Sequence, residues 1–320
     1  MNGQLPVVVA LGPVDPALVS GVLDGHCRFI PDPGDAELNL AAGAIARAGA
    51  RVDQALLGKT PALRVIARTG VGVDLVDLPA VTARGIAVVI TPGAGAAAVA
   101  EGAIGMALHL VKRFGPLTAL VRDGRWAQRG TVGVGDLDGA TLGVVGYGRI
   151  GKRTAELGAA FGMRILAYDP VSEPPAGARC GSLADLAARS DVITLHLPLT
   201  GQTRHLVDDA FLDRVKPGAI LVNCGRGGLI DTDAVWRALT GGRLSGVGLD
   251  VFEPEPPAHH PLYRHPDVVL TPHVMGLSRR ATAATFTAAA QGVLDVLAGR
   301  EPRAVANPGW RTRCLKEIDA

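Results

Sequence analysis

The feature that most constrains this chain is G-Y-G-R-I-G at residues 146–151, set between a short apolar run, Thr141–Val145, and a helical stretch, Arg149–Phe161. After a strand, Gly146 permits the tight turn, Gly148 lets the backbone approach a pyrophosphate, and Gly151 lets helix and strand pack closely. The amino terminus of the helix then faces the phosphates. In a chain with 42 glycines the same spacing also arises from an ordinary structural turn. Asp169 argues for the ligand. It ends the next run, Arg164–Tyr168, 18 residues beyond Gly151, where a carboxylate accepts hydrogen bonds from an adenosine ribose. The same carboxylate repels a 2′-phosphate and no arginine adjoins it, so NAD is expected rather than NADP, unless Arg164 or Arg179 folds back toward the site.

The rest of the chain repeats the alternation of strand and helix that such a loop requires. Strands are expected at Thr141–Val145, Arg164–Tyr168, Val192–Leu197, Ala219–Asn223, Val247–Val251 and Val268–Thr271. Crossover helices are expected at Arg149–Phe161, Leu183–Arg189, Asp208–Val215 and Asp233–Leu239. Six strands so separated make a doubly wound parallel sheet. The first third alternates in the same way, with apolar runs at Val7–Leu11, Leu63–Ala67 and Ile86–Ile90 and a helix at Asp77–Arg84. Two Ala-rich helices, one within Gly93–Val111 and one at Arg279–Ala298, bracket the six-strand pattern, and a polar tail expected to fray follows the second. A length of 320 residues suits two domains at about 150 residues each. The expected fold class is therefore α/β with two doubly wound parallel-sheet domains: a Rossmann dinucleotide-binding domain over 99–284, inserted in a flavodoxin-like substrate domain made of 1–98 and 285–320.

Composition narrows the partners. With 32 basic and 30 acidic side chains, a net charge of +2 and no basic stripe, no nucleic acid partner is expected. Gly93–Val111 approaches spanning length, but it is built of Gly and Ala with Glu101 inside, so it is expected to be a helix buried between domains and no membrane partner is expected. Cysteines at 27, 180, 224 and 314 form no C-x-x-C pair, which fits neither a disulfide framework nor a zinc site; no metal is expected, and a reducing, cytoplasmic setting is. Met1–Asp15 has no basic region and its apolar run is too short for a signal peptide, so export is not expected.

Three ionisable residues stand just after three later strands: Arg226 in N-C-G-R-G-G, Glu255 in D-V-F-E-P-E-P and His273 in T-P-H. In an open α/β sheet ligands bind at the carboxyl ends of the strands, so these side chains can converge. Moving a hydride from a nicotinamide to a ketone develops negative charge on oxygen, which needs a proton donor and a fixed cation. His273 suits the donor and Arg226 the cation, while Glu255 bonded to the imidazole would orient it and favour its charged form. Each residue also has an ordinary explanation alone: a core histidine, a structural ion pair, a solvated loop carboxylate. Their joint placement favours chemistry.

With these motifs in view the chain resembles the D-isomer-specific 2-hydroxyacid dehydrogenases, in the group of phosphoglycerate dehydrogenases and glyoxylate/hydroxypyruvate reductases. The resemblance runs through R-T-G-V-G-V-D (Arg68–Asp74), T-P-G-A with V-A-E (Thr91–Ala94, Val99–Glu101), the glycine loop with Asp169, L-P-L-T (Leu197–Thr200), N-C-G-R-G, L-D-V-F-E-P-E-P and T-P-H. It implies NAD-dependent, reversible hydride transfer between a D-2-hydroxy acid and its 2-oxo acid, with 3-phosphoglycerate, glycerate/hydroxypyruvate and glycolate/glyoxylate as candidate pairs. By the same resemblance Arg226, Glu255 and His273 are catalytic, and Arg226 also binds substrate. The N–H groups of Val71 and Gly72 face the substrate carboxylate. Gly146, Gly148, Arg149, Ile150, Gly151, Asp169, Leu197, Pro198, Cys224 and Asp250 contact NAD. A homodimer built around the Gly/Ala helix and the loop after it is also implied.

Two departures and two alternatives accompany the resemblance. Met275 stands where the family often has a small residue, which would make the pocket wall narrower or more apolar. With the sequence ending at residue 320, the amino-acid feedback of some phosphoglycerate dehydrogenases is not expected, and Glu255 in place of a glutamine disfavours a formate dehydrogenase. Arg68 could hold a second anionic group of the substrate or be a structural ion pair. Some relatives of this fold are NAD-sensing binding proteins, which remains the alternative to an enzyme.

Overall fold

A computed structural model describes residues 5–313. The described chain divides into two compact units, one drawn from both ends of the chain, up to Gly95 and again from Arg279, and one formed by Ala96–Ser278. The sequence places these boundaries at 98/99 and 284/285. Both observed boundaries fall at the first residue of a helix, because a helix packs as one rigid piece and a division inside it would split its buried face.

In the first unit the chain runs β1 (Val7–Leu11), α1 (Ser20–Leu23), β2 (Arg28–Ile30), α2 (Asp35–Leu40), β3 (Ala41–Ala46), α3 (Gln54–Lys59), β4 (Val65–Arg68), α4 (Leu78–Ala83) and β5 (Ala87–Val89). In the second it continues α5 (Ala96–Val111), α6 (Phe114–Arg122), β6 (Thr141–Val145), α7 (Arg149–Ala160), β7 (Arg164–Tyr168), α8 (Leu183–Arg189), β8 (Val192–Leu195), α9 (Asp209–Leu212), β9 (Ala219–Asn223), α10 (Thr232–Thr240), β10 (Leu244–Leu249) and β11 (Val268–Leu270). Helix α11 (Arg279–Leu297) returns to the first unit.

The first sheet has the order β2-β1-β3-β4-β5 and is parallel throughout, the flavodoxin-like order. Helix α11 covers one face with Phe286, Ala289, Ala290, Val293 and Val296. It comes close because β3 is built of Ala and Gly: a Cβ on Gly43 would stand 2.9 Å from Val293 Cγ1. The other face is closed by Leu57, Val76 and Val81 under α3 and α4. Each fully buried Leu, Ile or Phe of these layers contributes about 1.5–3 kcal/mol. Neither β2 nor β3 was expected from the sequence.

The second sheet, also parallel, has the order β11-β10-β9-β8-β6-β7. Chain direction across the sheet reverses between β6 and β8, the position where such sheets bind ligands. Beyond β7 a third strand on that side is reduced to a single bridge, Ala167 to Arg179. Helix α5 buries Ala100, Ala103, Ile104, Met106, Ala107 and Leu110 and lies against α7, β9 and β10, so its apolar face is used within the second unit. Among the described residues no single helix is long and apolar enough to cross a membrane; only α5 and α6 together, bent by 57°, have the composition.

Most crossover helices begin at a side-chain cap: Asp53, Asp77, Ser182, Asp208 and Asp231 each accept a hydrogen bond from the first turn of the helix that follows. Helix α7 begins instead at Gly148 with no side-chain cap. Cys27, Cys180 and Cys224 are buried free thiols, while Cys314 and the tail expected to fray lie outside the described residues.

Candidate active site

The glycine loop follows β6, and its three glycines are packed differently. Gly146 has φ +95°, and a Cβ there would stand 2.7 Å from the His196 carbonyl carbon. On Gly151 a Cβ would lie 1.9 Å from the Gly146 oxygen. Around Gly148 nothing lies within 4 Å of such an atom. Two glycines are thus demanded by the protein's own packing, and the middle one leaves open space beside the uncapped start of α7. Arg149 and Ile150 form the first positions of that helix, whose leading N–H groups have no partner within it. Asp169, at the end of β7, accepts from Tyr147 N at 2.6 Å, from Val171 N at 2.8 Å and from Ser172 N at 2.7 Å, which fixes the carboxylate against the loop. An open cradle, helix N–H groups and a carboxylate beside them suit a dinucleotide with an unphosphorylated ribose.

His273 and Glu255, 18 positions apart in sequence, meet: Nδ1 of His273 lies 2.8 Å from Glu255 Oε2. The other carboxylate oxygen, Oε1, accepts from Phe252 N at 3.0 Å, so the ring is held by a fixed anion. A hollow of about 450 Å³ borders the pair, with Phe252, Pro256, Tyr263, Leu270 and Pro272 as its apolar lining. His273 adopts φ +55°, the left-handed region that non-glycine residues rarely occupy. Its turn is tied to Asp250, which is 2% exposed: Oδ1 accepts from Thr271 Oγ1 at 2.6 Å and Val274 N at 2.9 Å, and Oδ2 from Met275 N at 3.2 Å. The sequence suggested Asp250 only as a cofactor contact; its bracing of the histidine turn was missed.

Arg226 lies on the loop after β9, half-buried, donating from Nη1 to the Gly225 carbonyl at 2.8 Å. Asn223, fully buried, holds this loop at both ends, donating to the Arg226 carbonyl at 2.8 Å and accepting from Gly225 N at 3.0 Å. A polar amide closing an apolar strand is the signal that could have marked it. The loop is pressed on the Glu255 loop, since a Cβ on Gly227 would stand 2.0 Å from the Phe252 carbonyl carbon. Arg204 clamps the same region, donating through Nη1 and Nη2 to the two oxygens of Glu253 at 2.8 and 2.9 Å.

Leu197 and Cys224 are buried at the ends of β8 and β9, and Pro198 is exposed. Burial pushes the Cys224 thiol up to about 12, so it stays protonated. His196 was not anticipated. Its Nε2 shares a hydrogen bond with Thr194 Oγ1 at 2.5 Å, its Nδ1 is sealed without a partner among the described residues, and burial lowers its pKa to about 3, leaving a neutral ring, while its backbone packs against Gly146.

In the first unit Arg68 ends β4. It is 3% exposed and donates to four backbone carbonyls: Nε to Gly72, Nη1 to Arg47 and Ala50, and Nη2 to Ala48. A guanidinium so engaged braces the loop, which favours a structural role for Arg68 over one in reading a substrate anion. Val71, 49% exposed, and Gly72 lie on that loop, and among the described residues no acceptor takes either N–H. Met275, expected to narrow a pocket wall or make it more apolar, seats its side chain over Gly102 of α5.

Residues 104–275 match the sequence model of the D-isomer specific 2-hydroxyacid dehydrogenase, NAD binding domain. A D-3-phosphoglycerate dehydrogenase of Mycobacterium bovis is 39% identical over 306 residues, covering 92% of this chain; the chain spans 58% of that protein's length. Among solved structures, the TT0316 protein of Thermus thermophilus is 36% identical with a TM-score of 0.85, covering 94% of this chain and 99% of its own. A D-lactate dehydrogenase from Aquifex aeolicus, complexed with NAD and lactic acid, is 30% identical with a TM-score of 0.81, covering 92% of this chain and 96% of its own.

Proposed function

Because the chain belongs to the D-isomer specific 2-hydroxyacid dehydrogenase family, we propose that it catalyses reversible, NAD-dependent hydride transfer between a small D-2-hydroxy acid and its 2-oxo acid. The observation that carries this reading is the 2.8 Å contact of Glu255 with His273 on the sheet that also bears the glycine loop. When bound, the dinucleotide supplies or accepts the hydride at the substrate's C2. Gly146, Gly148 and Gly151, the first turn of α7 with Arg149 and Ile150, and Asp169 hold its phosphates and ribose; Leu197, Pro198, Cys224 and Asp250 lie at the neighbouring strand ends. Asp169 selects NAD by repelling a 2′-phosphate.

In the reducing direction Arg226 binds the carboxylate and carbonyl of the 2-oxo acid and stabilises the negative charge that grows on the carbonyl oxygen. Glu255 takes up Nδ1 of His273, so Nε2 is the atom that gives the proton to that oxygen; in oxidation Nε2 takes it back. The N–H groups of Val71 and Gly72 on the loop after β4 suit a substrate carboxylate. 3-Phosphoglycerate, glycerate and glycolate are the candidate hydroxy acids, and the name of the curated relative supports the first. The imidazole bonded to a carboxylate beside an arginine loop favours turnover over the alternative of an NAD-sensing binding protein.

A homodimer is part of the proposal. Phe114, Val121, Trp126 and Val134 are 49%, 60%, 62% and 51% exposed within one short segment after α5, an apolar surface suited to a second copy. Its buried free thiols suit a cytoplasmic setting. The test is NADH oxidation with phosphohydroxypyruvate, hydroxypyruvate, glyoxylate and pyruvate. Turnover of one or more supports the reading; NADH binding without turnover of any of them contradicts it.

A further inference from the structure

We propose that Gly102 of α5 and Met275 form a notch and plug that positions His273; the proposal rests on the acid–base role assigned to that histidine. A Cβ on Gly102 would stand 2.2 Å from Met275 Sδ, 2.8 Å from its Cγ and 3.1 Å from its Cβ. The side chain therefore occupies the space that any other residue at 102 would fill. Met275 is partly buried there against the cluster containing Ala103, Ile104, Met106 and Ala107. One residue, Val274, separates it from His273, whose φ of +55° needs support from both sides. Before it the Thr271 hydroxyl, and after it the N–H groups of Val274 and Met275, are bonded to the Asp250 carboxylate. Leu277 N–H closes the turn onto the Val274 carbonyl at 2.8 Å.

Glu255 fixes Nδ1 of the ring, so the backbone of 272–275 decides where Nε2 lies. A plug seated in a helix that packs on β9 and β10 ties that backbone to the body of the second unit. Displacement of the plug by a few tenths of an ångström turns the ring about its anchored nitrogen, and proton transfer is sensitive to such shifts. Gly102 and Met275 are positioning residues in this account; neither touches the reacting atoms.

Gly102→Ala improves helix propensity, so loss of function in it is not a failure of the helix to form. In the full chain it should lower kcat for the best 2-oxo acid by about tenfold, leave the NADH dissociation constant within about twofold, and shift the pH profile of kcat. Met275→Ala added to Gly102→Ala should restore kcat to within about threefold of the wild type. In NADH-bound protein carrying ¹³C-labelled histidine, the His273 ring signals, assigned by their loss in His273→Ala, should move in Gly102→Ala and return in the double variant. Wild-type kcat and pH profile in Gly102→Ala, or a double variant no better than the single one, would overturn the proposal. If wild-type protein turns over no 2-oxo acid, the functional reading fails, and unmoved histidine signals in Gly102→Ala would separately overturn the plug.

Discussion

Two glycine-bearing loops, residues 69–76 after β4 and residues 146–151 after β6, are braced by ionisable side chains of opposite kind. In the first unit the cation Arg68 takes the carbonyls of residues 47, 48, 50 and 72, and among the described residues no acceptor takes the N–H groups of Val71 and Gly72. In the second the anion Asp169 takes the N–H groups of Tyr147, Val171 and Ser172, and the chain then enters a 12-residue helix that presents its own first-turn donors. Similar glycine patterns thus become different sites according to which backbone groups the nearby charge consumes. Both loops end with donors suited to an anion, but only the second adds a carboxylate that can read a ribose.

The largest effect expected from this contrast is at Arg68. Arg68→Met removes the donors of four backbone carbonyls, all of the first unit, together with a buried guanidinium, and should cost about 3 kcal/mol in urea unfolding. A phosphate-reading Arg68 would instead raise KM for phosphohydroxypyruvate alone, with stability unchanged. The next effect separates the glycines. Gly151→Ala, with its Cβ 1.9 Å from the Gly146 oxygen, should weaken NADH binding by about 100-fold, the equivalent of about 2.7 kcal/mol, and also lower Tm. Gly148→Ala should weaken NADH binding by about tenfold at constant Tm, since only the ligand meets the new methyl group. Equal loss of Tm in both variants would break the distinction.

Asp169→Ser should raise the NADPH-to-NADH ratio of kcat/KM by about tenfold, worth about 1.4 kcal/mol. An unchanged ratio would remove the carboxylate from cofactor selection. At neutral pH the smallest effect lies at His196, whose backbone packs against the second loop. Below pH 6.5 the unfolded chain protonates this ring, whereas the folded chain does not until about pH 3, so stability falls as pH drops through that window. The contribution is at most about 1.4 kcal/mol per pH unit, and His196→Gln should flatten the acid side of the stability curve measured by urea unfolding.

The second unit was legible because its signals are local. A glycine loop sits on a strand end, its ribose carboxylate ends the next strand, and Arg226, Glu255 and His273 each follow a strand by a few residues. The first unit hid two strands. Ala41–Ala46 consists of Ala, Gly and one Ile, poor strand formers by propensity, and it is a strand because small side chains let α11 lie close over it. Arg68 ends an apolar strand and reads equally as an anion-binding residue or a structural ion pair, yet three of its bonds go to carbonyls about 20 positions away, which no spacing reveals. The seat of Met275 was hidden for the same reason, because Gly102 is remote in sequence and a glycine in a helix carries no sign of what fills its notch.

The central claim is that His273, held by Glu255, moves the proton while the glycine loop holds the dinucleotide. The most direct test measures NADH oxidation and NADH binding in parallel for His273→Ala, using the best 2-oxo acid for the wild type. The account predicts a fall in kcat of about 10² to 10⁴ with the NADH dissociation constant unchanged. Turnover near the wild-type rate in that variant would contradict it.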